Sequence, residues 1–196
     1  MAREGRAARY AWHSLEAEAT EAFGAELGRR VPPGIVIALG GELGTGKTTL
    51  VRGLARGLGI EETVASPTYV LMQAHEGGRL PLYHFDAWME GREKALFLDG
   101  GDDWLHAGGV AVVEWAERVE AWMPFPRLEI TLSHRSPTER GIELAVVVGE
   151  ESTAMVAGPL TDLVEGLLEA LRGVAGLETK PDSDEPHGTR PVEGGR

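Results

Sequence analysis

One short segment limits the possible folds of this chain more than any other feature of its sequence. Its residues are Gly41-Glu42-Leu43-Gly44-Thr45-Gly46-Lys47-Thr48. The spacing of the glycines, the lysine and the threonine is that of a loop that wraps phosphate groups. The apolar run 35–39 precedes the loop and predicts a strand buried on both faces. Leucines recur at helical spacing over 46–58, and a glycine follows where a helix commonly ends, so we expect a strand, a loop and then a helix.

Each residue type in this loop has a chemical reason. Backbone amides at a helix N-terminus attract anions, and glycines let the backbone approach a phosphate closely. We expect Lys47 to reach the β- and γ-phosphates, with a catalytic as well as a binding role, and the hydroxyl of Thr48 to be a Mg²⁺ ligand. The predicted nucleotide contacts are Gly41, Gly44, Thr45, Gly46, Lys47, Thr48 and Thr49.

Two acidic residues end apolar segments and are candidates to complete the site. Glu114 follows the buried run 110–113, and Asp86 closes the segment that begins at Leu82. A nucleotide-bound Mg²⁺ needs a carboxylate near the phosphate loop, and a second carboxylate can orient or deprotonate the attacking water. Spacing alone does not decide which acid has which role. Similarly, the segment 66–69 is either a loop that responds to the γ-phosphate or a plain turn before a strand.

The rest of the chain predicts a mixed sheet flanked by helices, which is an α/β, three-layer fold of the P-loop NTPase type. The expected helices are 14–30, 46–58, 93–98 and 160–171, and the expected strands are 9–13 (a short edge strand), 35–39, 68–74, 82–88, 110–113, 128–132 and 142–148. We predict one domain over 1–174. The segment 175–196 has three aliphatic residues and no Phe, Trp or Tyr, so we predict a disordered tail.

Composition narrows the function classes. The formal net charge of −12 disfavours nonspecific binding to nucleic acid. The absence of cysteine excludes disulfides, thiolate zinc sites and thiol nucleophiles. No apolar run approaches the length of a membrane-spanning helix, and the first residues precede no apolar signal core. We therefore expect a soluble cytoplasmic protein without membrane contact.

ATP is the expected nucleotide. The segment Thr179-Lys180-Pro181-Asp182 resembles the motif with which many GTPases recognise guanine, but it lies in the predicted tail. In addition, no Asp in the chain is followed three residues later by Gly, the spacing of the usual GTPase switch. We place Thr20 and Phe23 of the first helix on the adenine side of the site.

Four motifs in this order resemble the TsaE (YjeE) family of small bacterial ATPases. They are the phosphate loop continued to Leu50, Ser66-Pro67-Thr68-Tyr69, Tyr83-His84-Phe85-Asp86 and Val113-Glu114-Trp115. The resemblance implies that Lys47 and Thr48 bind phosphate and magnesium, that Glu114 ligates the metal, and that Asp86 supports hydrolysis. It also implies slow, partner-stimulated ATP hydrolysis that sustains a complex of TsaD and TsaB, which forms N6-threonylcarbamoyladenosine at position 37 of tRNAs.

The chain departs from the family pattern at two places, and two other functions remain open. Ala87-Trp88-Met89 stands where the family usually has Leu-Tyr-Arg, and Ala116 stands where a proline is common. The alternatives are a small-molecule kinase and a nucleotide-gated binding module that does not hydrolyse ATP. A kinase should carry an Arg-rich lid, whereas the segment 90–109 offers only Arg92 and Lys94.

Overall fold

The computed structural model describes residues 5–92, 97–149 and 154–180. In these ranges the strands are β1 (Gly5–Ser14), β2 (Val36–Gly40), β3 (Met72–His75), β4 (Leu82–Asp86), β5 (Val110–Glu114), β6 (Arg127–His134), β7 (Arg140–Val148) and β8 (Leu177–Lys180). The helices are α1 (Ala17–Arg30), α2 (Lys47–Leu58), α3 (Asp102–Leu105) and α4 (Ala154–Leu171). A π-helical turn spans Phe97–Gly101, and two 3₁₀ turns span Ala116–Arg118 and Glu120–Trp122.

The strands form one mixed sheet in the order β3-β4-β5-β2-β6-β7-β1-β8. Strands β4, β5, β2 and β6 run parallel, whereas every other neighbouring pair is antiparallel. Because the carboxyl ends of parallel strands share one edge, the register sets Glu114 opposite both Leu39 and Asp86. This edge therefore brings both candidate acids next to the strand that enters the phosphate loop.

Alternate residues of the central strands supply two cores, one on each face of the sheet. Ile37 and Leu39 belong to the larger core, which is covered by α1, α2 and α4. Val36 and Ala38 belong to the smaller core, which includes Phe97 and other residues of the short turns. The three-layer α/β fold is thus confirmed, but in the described residues short helical segments rather than long helices cover the second face.

Helices α1 and α2 touch along glycines, and this contact fixes the helix that follows the phosphate loop. A β-carbon at Gly53 would lie 2.0 Å from the backbone oxygen of Glu21, and one at Gly24 would lie 2.2 Å from that of Leu50. Only glycine permits so close an approach of two backbones. The C-terminal end of α2 is also defined by a glycine, since Gly59 takes a left-handed conformation with φ of 83°.

Several predicted boundaries were wrong at the ends of the sheet. The first strand is not an edge strand, because β1 lies between β7 and β8. The segment predicted as a disordered tail begins within the fold, because Leu177 is buried in the larger core and Leu177–Lys180 pairs with β1. The domain thus continues beyond 174. For 181–196, which lie outside the described residues, disorder stays a prediction.

Two further segments differ from the predicted elements. Only 72–74 of the predicted strand 68–74 pairs with β4, in a strand that continues to His75, because residues 68–70 form a turn that Leu71 leaves with φ of 67°. The predicted helix 93–98 falls largely on residues outside the described ranges, after which the π-helical turn and α3 follow. None of the helices in the described part of the chain has the length and apolar character needed to span a bilayer.

Candidate nucleotide and metal site

The phosphate loop runs from the end of β2 to the start of α2. Gly41, Gly44 and Gly46 have φ of 122°, 76° and 98°, a region that favours glycine. At Gly41 a β-carbon would also lie 2.2 Å from the backbone oxygen of Leu132. In the described structure no side chain caps the first turn of α2. The first N–H groups of a helix have no partner within the helix, so those of α2 are available to an anion.

Lys47 lies folded over this loop. Its Nζ donates hydrogen bonds to the backbone oxygens of Gly41 at 2.6 Å and Glu42 at 2.9 Å, and only 5% of the residue is exposed. Burial lowers the pKa of Lys47, and the negative charge of Glu114 opposes this effect most strongly. A cation held by two carbonyl oxygens over the loop can exchange these partners for phosphate oxygens without changing its backbone position.

Thr48 and Glu114 meet beside the lysine. The hydroxyl of Thr48 donates to the carboxylate of Glu114, at 2.9 Å from Oε1 and 3.1 Å from Oε2. Glu114 is 3% exposed and also accepts a hydrogen bond of 2.9 Å from Nε2 of His84. Hydroxyl and carboxylate oxygens are ligands that Mg²⁺ prefers, so this pair fits the metal.

Thr48 and Glu114 suit a Mg²⁺ ion that is also bound by phosphate oxygens better than an ion that the protein alone would hold. Among the described residues no group of three or more His, Cys, Asp or Glu side chains is arranged to hold a metal. Mg²⁺ in nucleotide sites is usually bound by one or two protein ligands together with phosphate oxygens and water. The geometry therefore suits a metal that arrives with a phosphate ligand.

Asp86 ends β4 and fixes the turn that follows the phosphate helix. Its Oδ2 accepts hydrogen bonds from the hydroxyls of Ser66 and Thr68, the latter at 2.7 Å. Its Oδ1 accepts the backbone N–H of Trp88 at 2.9 Å. Residues 68–70 form a turn, and the hydroxyls of Ser66 and Thr68 are bound to a candidate catalytic carboxylate.

An aromatic group beside the site was not predicted from the sequence. The ring of Trp115 lies 3.6 Å from Nζ of Lys47, and its centroid is 4.4 Å from that of Trp88. Arg118 stacks over Trp88 at 4.9 Å and donates to its backbone oxygen at 3.0 Å. The only signal in the sequence was that each tryptophan is close to a candidate acid. Trp115 directly follows Glu114, and Trp88 comes two positions after Asp86. Arg118 thus brings a cation to the segment that follows Asp86.

Three other residues predicted for the site are Thr49, Thr20 and Phe23, and they differ in how close they lie to the phosphate loop. Thr49 is on the first turn of α2, where its hydroxyl accepts from Arg52 at 3.0 Å. The methyl group of Thr20 would be 3.8 Å from a β-carbon at Gly46, so Thr20 borders the loop. Phe23 is fully buried against Trp12. Its predicted position on the adenine side of the site was wrong, because the core encloses its ring.

Comparison with known proteins decides the family. The model of the family described as threonylcarbamoyl adenosine biosynthesis protein TsaE matches residues 14–142. The chain belongs to the TsaE family. The match includes the phosphate loop, both acids and Trp115, so it covers the whole of the site described above.

Individual relatives agree with this TsaE assignment. The chain is 39% identical to the tRNA threonylcarbamoyladenosine biosynthesis protein TsaE of Bacillus subtilis, over 69% of this chain and 85% of the relative. It is 38% identical to the protein of the same name from Treponema pallidum, over 67% of this chain and 97% of the relative. The crystal structure of YdiB from Bacillus subtilis superposes with a TM-score of 0.65 at 30% identity, and covers 87% of this chain and 97% of that one.

Proposed function

We propose that this chain is a Mg²⁺-dependent ATPase that binds ATP at the phosphate loop, hydrolyses it slowly, and thereby supports formation of N6-threonylcarbamoyladenosine at position 37 of tRNAs. The observation that carries the proposal is the contact between the Thr48 hydroxyl and the Glu114 carboxylate, directly beside Lys47. Phosphate binding alone would require only the loop and its lysine. A carboxylate paired with the loop threonine adds the ligands for the metal that hydrolysis requires.

The roles of the residues follow from their positions. The amides of 44–48 bind the phosphates, and Lys47 leaves its two carbonyl partners to contact the β- and γ-phosphates. Thr48 and Glu114 hold Mg²⁺, which when bound neutralises the charge that develops on the phosphate oxygens. We assign the metal to Glu114 and not to Asp86, because Glu114 is the acid that contacts Thr48.

We assign Asp86 the role of acting on the water that attacks the γ-phosphate. Three hydrogen bonds hold its carboxylate at the strand end next to Glu114, so its orientation is fixed before a substrate binds. From this position it orients the water or takes its proton. The turn that carries Ser66 and Thr68 is bound to the same carboxylate, so a change at the γ-phosphate is transmitted to that turn through Asp86.

ATP remains the proposed nucleotide. Thr179 and Lys180, which belong to the segment that resembles a guanine motif, lie on β8, four strands away from β2 in the sheet. They are therefore remote from the phosphate loop. We further propose that the partners are the TsaD and TsaB proteins, that the chain acts in the cytoplasm, and that its acidic surface avoids strong direct contact with tRNA.

Phosphate release from Mg-ATP, measured alone and with TsaD and TsaB, tests this function. We expect slow release that the partners increase, and loss of release in Lys47→Ala. Arg56→Ala is the matched control, since it removes an exposed cation from the same helix outside the site. Tight nucleotide binding with no release under any condition would instead support the non-hydrolysing module. Phosphate transfer to an added small molecule, rather than to water, would support the kinase.

A further inference from the structure

A buried histidine behind the metal site has no role in the function proposed so far. His84 lies in the middle of β4 and is fully buried. Its Nε2 is 2.9 Å from Oε1 of Glu114. Because Thr48 already donates to this carboxylate, we assign the hydrogen to Nε2, so that His84 is a second donor to the same group.

Packing alone does not explain a histidine at this position. Leu82, two residues earlier on the same face of β4, is an ordinary member of the larger core. A buried imidazole costs free energy unless its nitrogens are hydrogen-bonded. Within the part of the chain that the structure describes, Nδ1 of His84 has no hydrogen-bond partner. The contact with Glu114 is thus the one specific polar interaction that this ring makes there.

Glu114 is the group that benefits from the contact. Its carboxylate is almost fully buried at a strand end, and a glutamate side chain has several rotatable bonds that must be fixed for metal binding. His84 holds Oε1 from the sheet side, while Thr48 approaches both oxygens from the helix side. Partners of this kind, which contact a ligand and not the metal, typically change metal affinity about 10- to 100-fold.

We propose that His84 is a positioning residue, whose Nε2–H holds the Glu114 carboxylate in the orientation in which Glu114 and Thr48 bind Mg²⁺. This inference rests on the proposed function, because it takes Glu114 as the metal ligand. Among the described residues, His84 forms a hydrogen bond with Glu114 and with no residue of the phosphate loop. Its effect is therefore specific to the metal.

The test compares affinity for a non-hydrolysable ATP analogue in EDTA and in excess Mg²⁺, measured by calorimetry. His84→Leu is expected to reduce the gain in affinity that Mg²⁺ provides by about tenfold or more. Affinity in EDTA should change less than about twofold, because Lys47 and the loop amides are untouched. His84→Gln, which keeps an N–H donor near the position of Nε2, should restore most of the gain.

The neighbouring histidine provides a matched control. His75 is also fully buried on the sheet, its ring is 6.3 Å from that of His84, and its Nδ1 contacts Glu62 at 2.6 Å and not Glu114. His75→Leu should therefore leave the gain from Mg²⁺ unchanged. If His84→Leu keeps the full gain, or loses affinity equally in EDTA and in Mg²⁺, the inference is wrong.

A Glu114→Gln variant separates the inference from the function on which it rests. If Glu114→Gln keeps the full gain from Mg²⁺, the assignment of the metal to Glu114 fails, and with it the basis for His84. If Glu114→Gln loses the gain but His84→Leu does not, only the positioning role fails. In the double variant, His84→Leu should add less than about a twofold change, since it acts through Glu114.

Discussion

The glycine contact between α1 and α2 leads to a prediction about stability that can be worked from the structure. In Gly53→Ala, the new β-carbon would lie 2.0 Å from the oxygen of Glu21, whereas real contacts of this kind essentially never fall under 3.0 Å. The helices must therefore separate by about 1 Å or more. The atom in the way belongs to the backbone and cannot rotate aside. The free-energy cost should therefore lie at the upper end of the range for overpacked sites, about 3 kcal/mol.

Helix propensity offsets part of that cost. Alanine in a helix interior is about 1 kcal/mol more favourable than glycine, which leaves a net loss of about 2 kcal/mol. For a chain of this size the loss lowers Tm by about 4 to 8 °C. Thermal unfolding followed by far-UV circular dichroism measures the shift. Because α2 begins at Lys47, we also expect weaker nucleotide binding in this variant.

Gly166→Ala is the control for this prediction. Gly166 is exposed on α4, and a β-carbon there would meet nothing within 4 Å. The same substitution should then stabilise the protein by about 0.5 to 1 kcal/mol, through helix propensity alone. If Gly53→Ala proves as stable as the wild type, or if both variants shift Tm in the same direction, the close packing of the two helices is not what fixes α2.

Three further predictions concern the site. Asp86→Asn should lower the rate of ATP hydrolysis by about 100-fold while the calorimetric affinity for Mg-ATP changes much less, because the amide cannot take a proton from the water but occupies almost the same volume as the carboxylate. Thr48→Ala should reduce the affinity gain from Mg²⁺ by about tenfold while binding in EDTA persists; equal loss in both conditions would contradict a metal-ligand role. Burial lowers the pKa of Lys47, whereas bound phosphates favour its charged form. Affinity for ATP should therefore fall as the pH rises through that lowered pKa, which lies below the 10.5 of an ordinary lysine. Titrations across alkaline pH would show the fall in the wild type and not in Lys47→Ala.

The centre of the fold was predictable because its signals are local. The loop glycines, the apolar run before them and the leucine spacing after them lie within 35–59, and the structure confirms strand, loop and helix there. The strand that ends at Glu114 was likewise predicted from its apolar residues. In each case, neighbouring residues alone specify the conformation.

The errors arose where distant segments decide the structure. The strand Leu177–Lys180 has only four residues, and it forms because β1 offers it an unpaired edge. Local composition cannot report such a partner. The turn at 68–71 was predicted as strand, because its sequence does not reveal that Asp86, some 18 positions away, bonds Thr68.

Contacts within the site were the hardest part to predict for the same reason. His84 and Glu114 are separated by 30 positions and meet because β4 and β5 are neighbours in the sheet. The stacking of Trp115 on Lys47 likewise depends on strand order. Residue types alone do not reveal either contact. The structure shows both side chains in contact with proposed ligands of the metal or the phosphate.

The central claim is that the loop amides and Lys47 bind the phosphates of ATP, and calorimetric titration with Mg-ATP tests it most directly. We expect saturable heat with the wild type and with Arg56→Ala, and an affinity about 10- to 100-fold lower for Lys47→Ala, because charge-assisted hydrogen bonds are lost. Wild-type protein that gives no heat with Mg-ATP, or Lys47→Ala that binds as tightly as the wild type, would contradict the account.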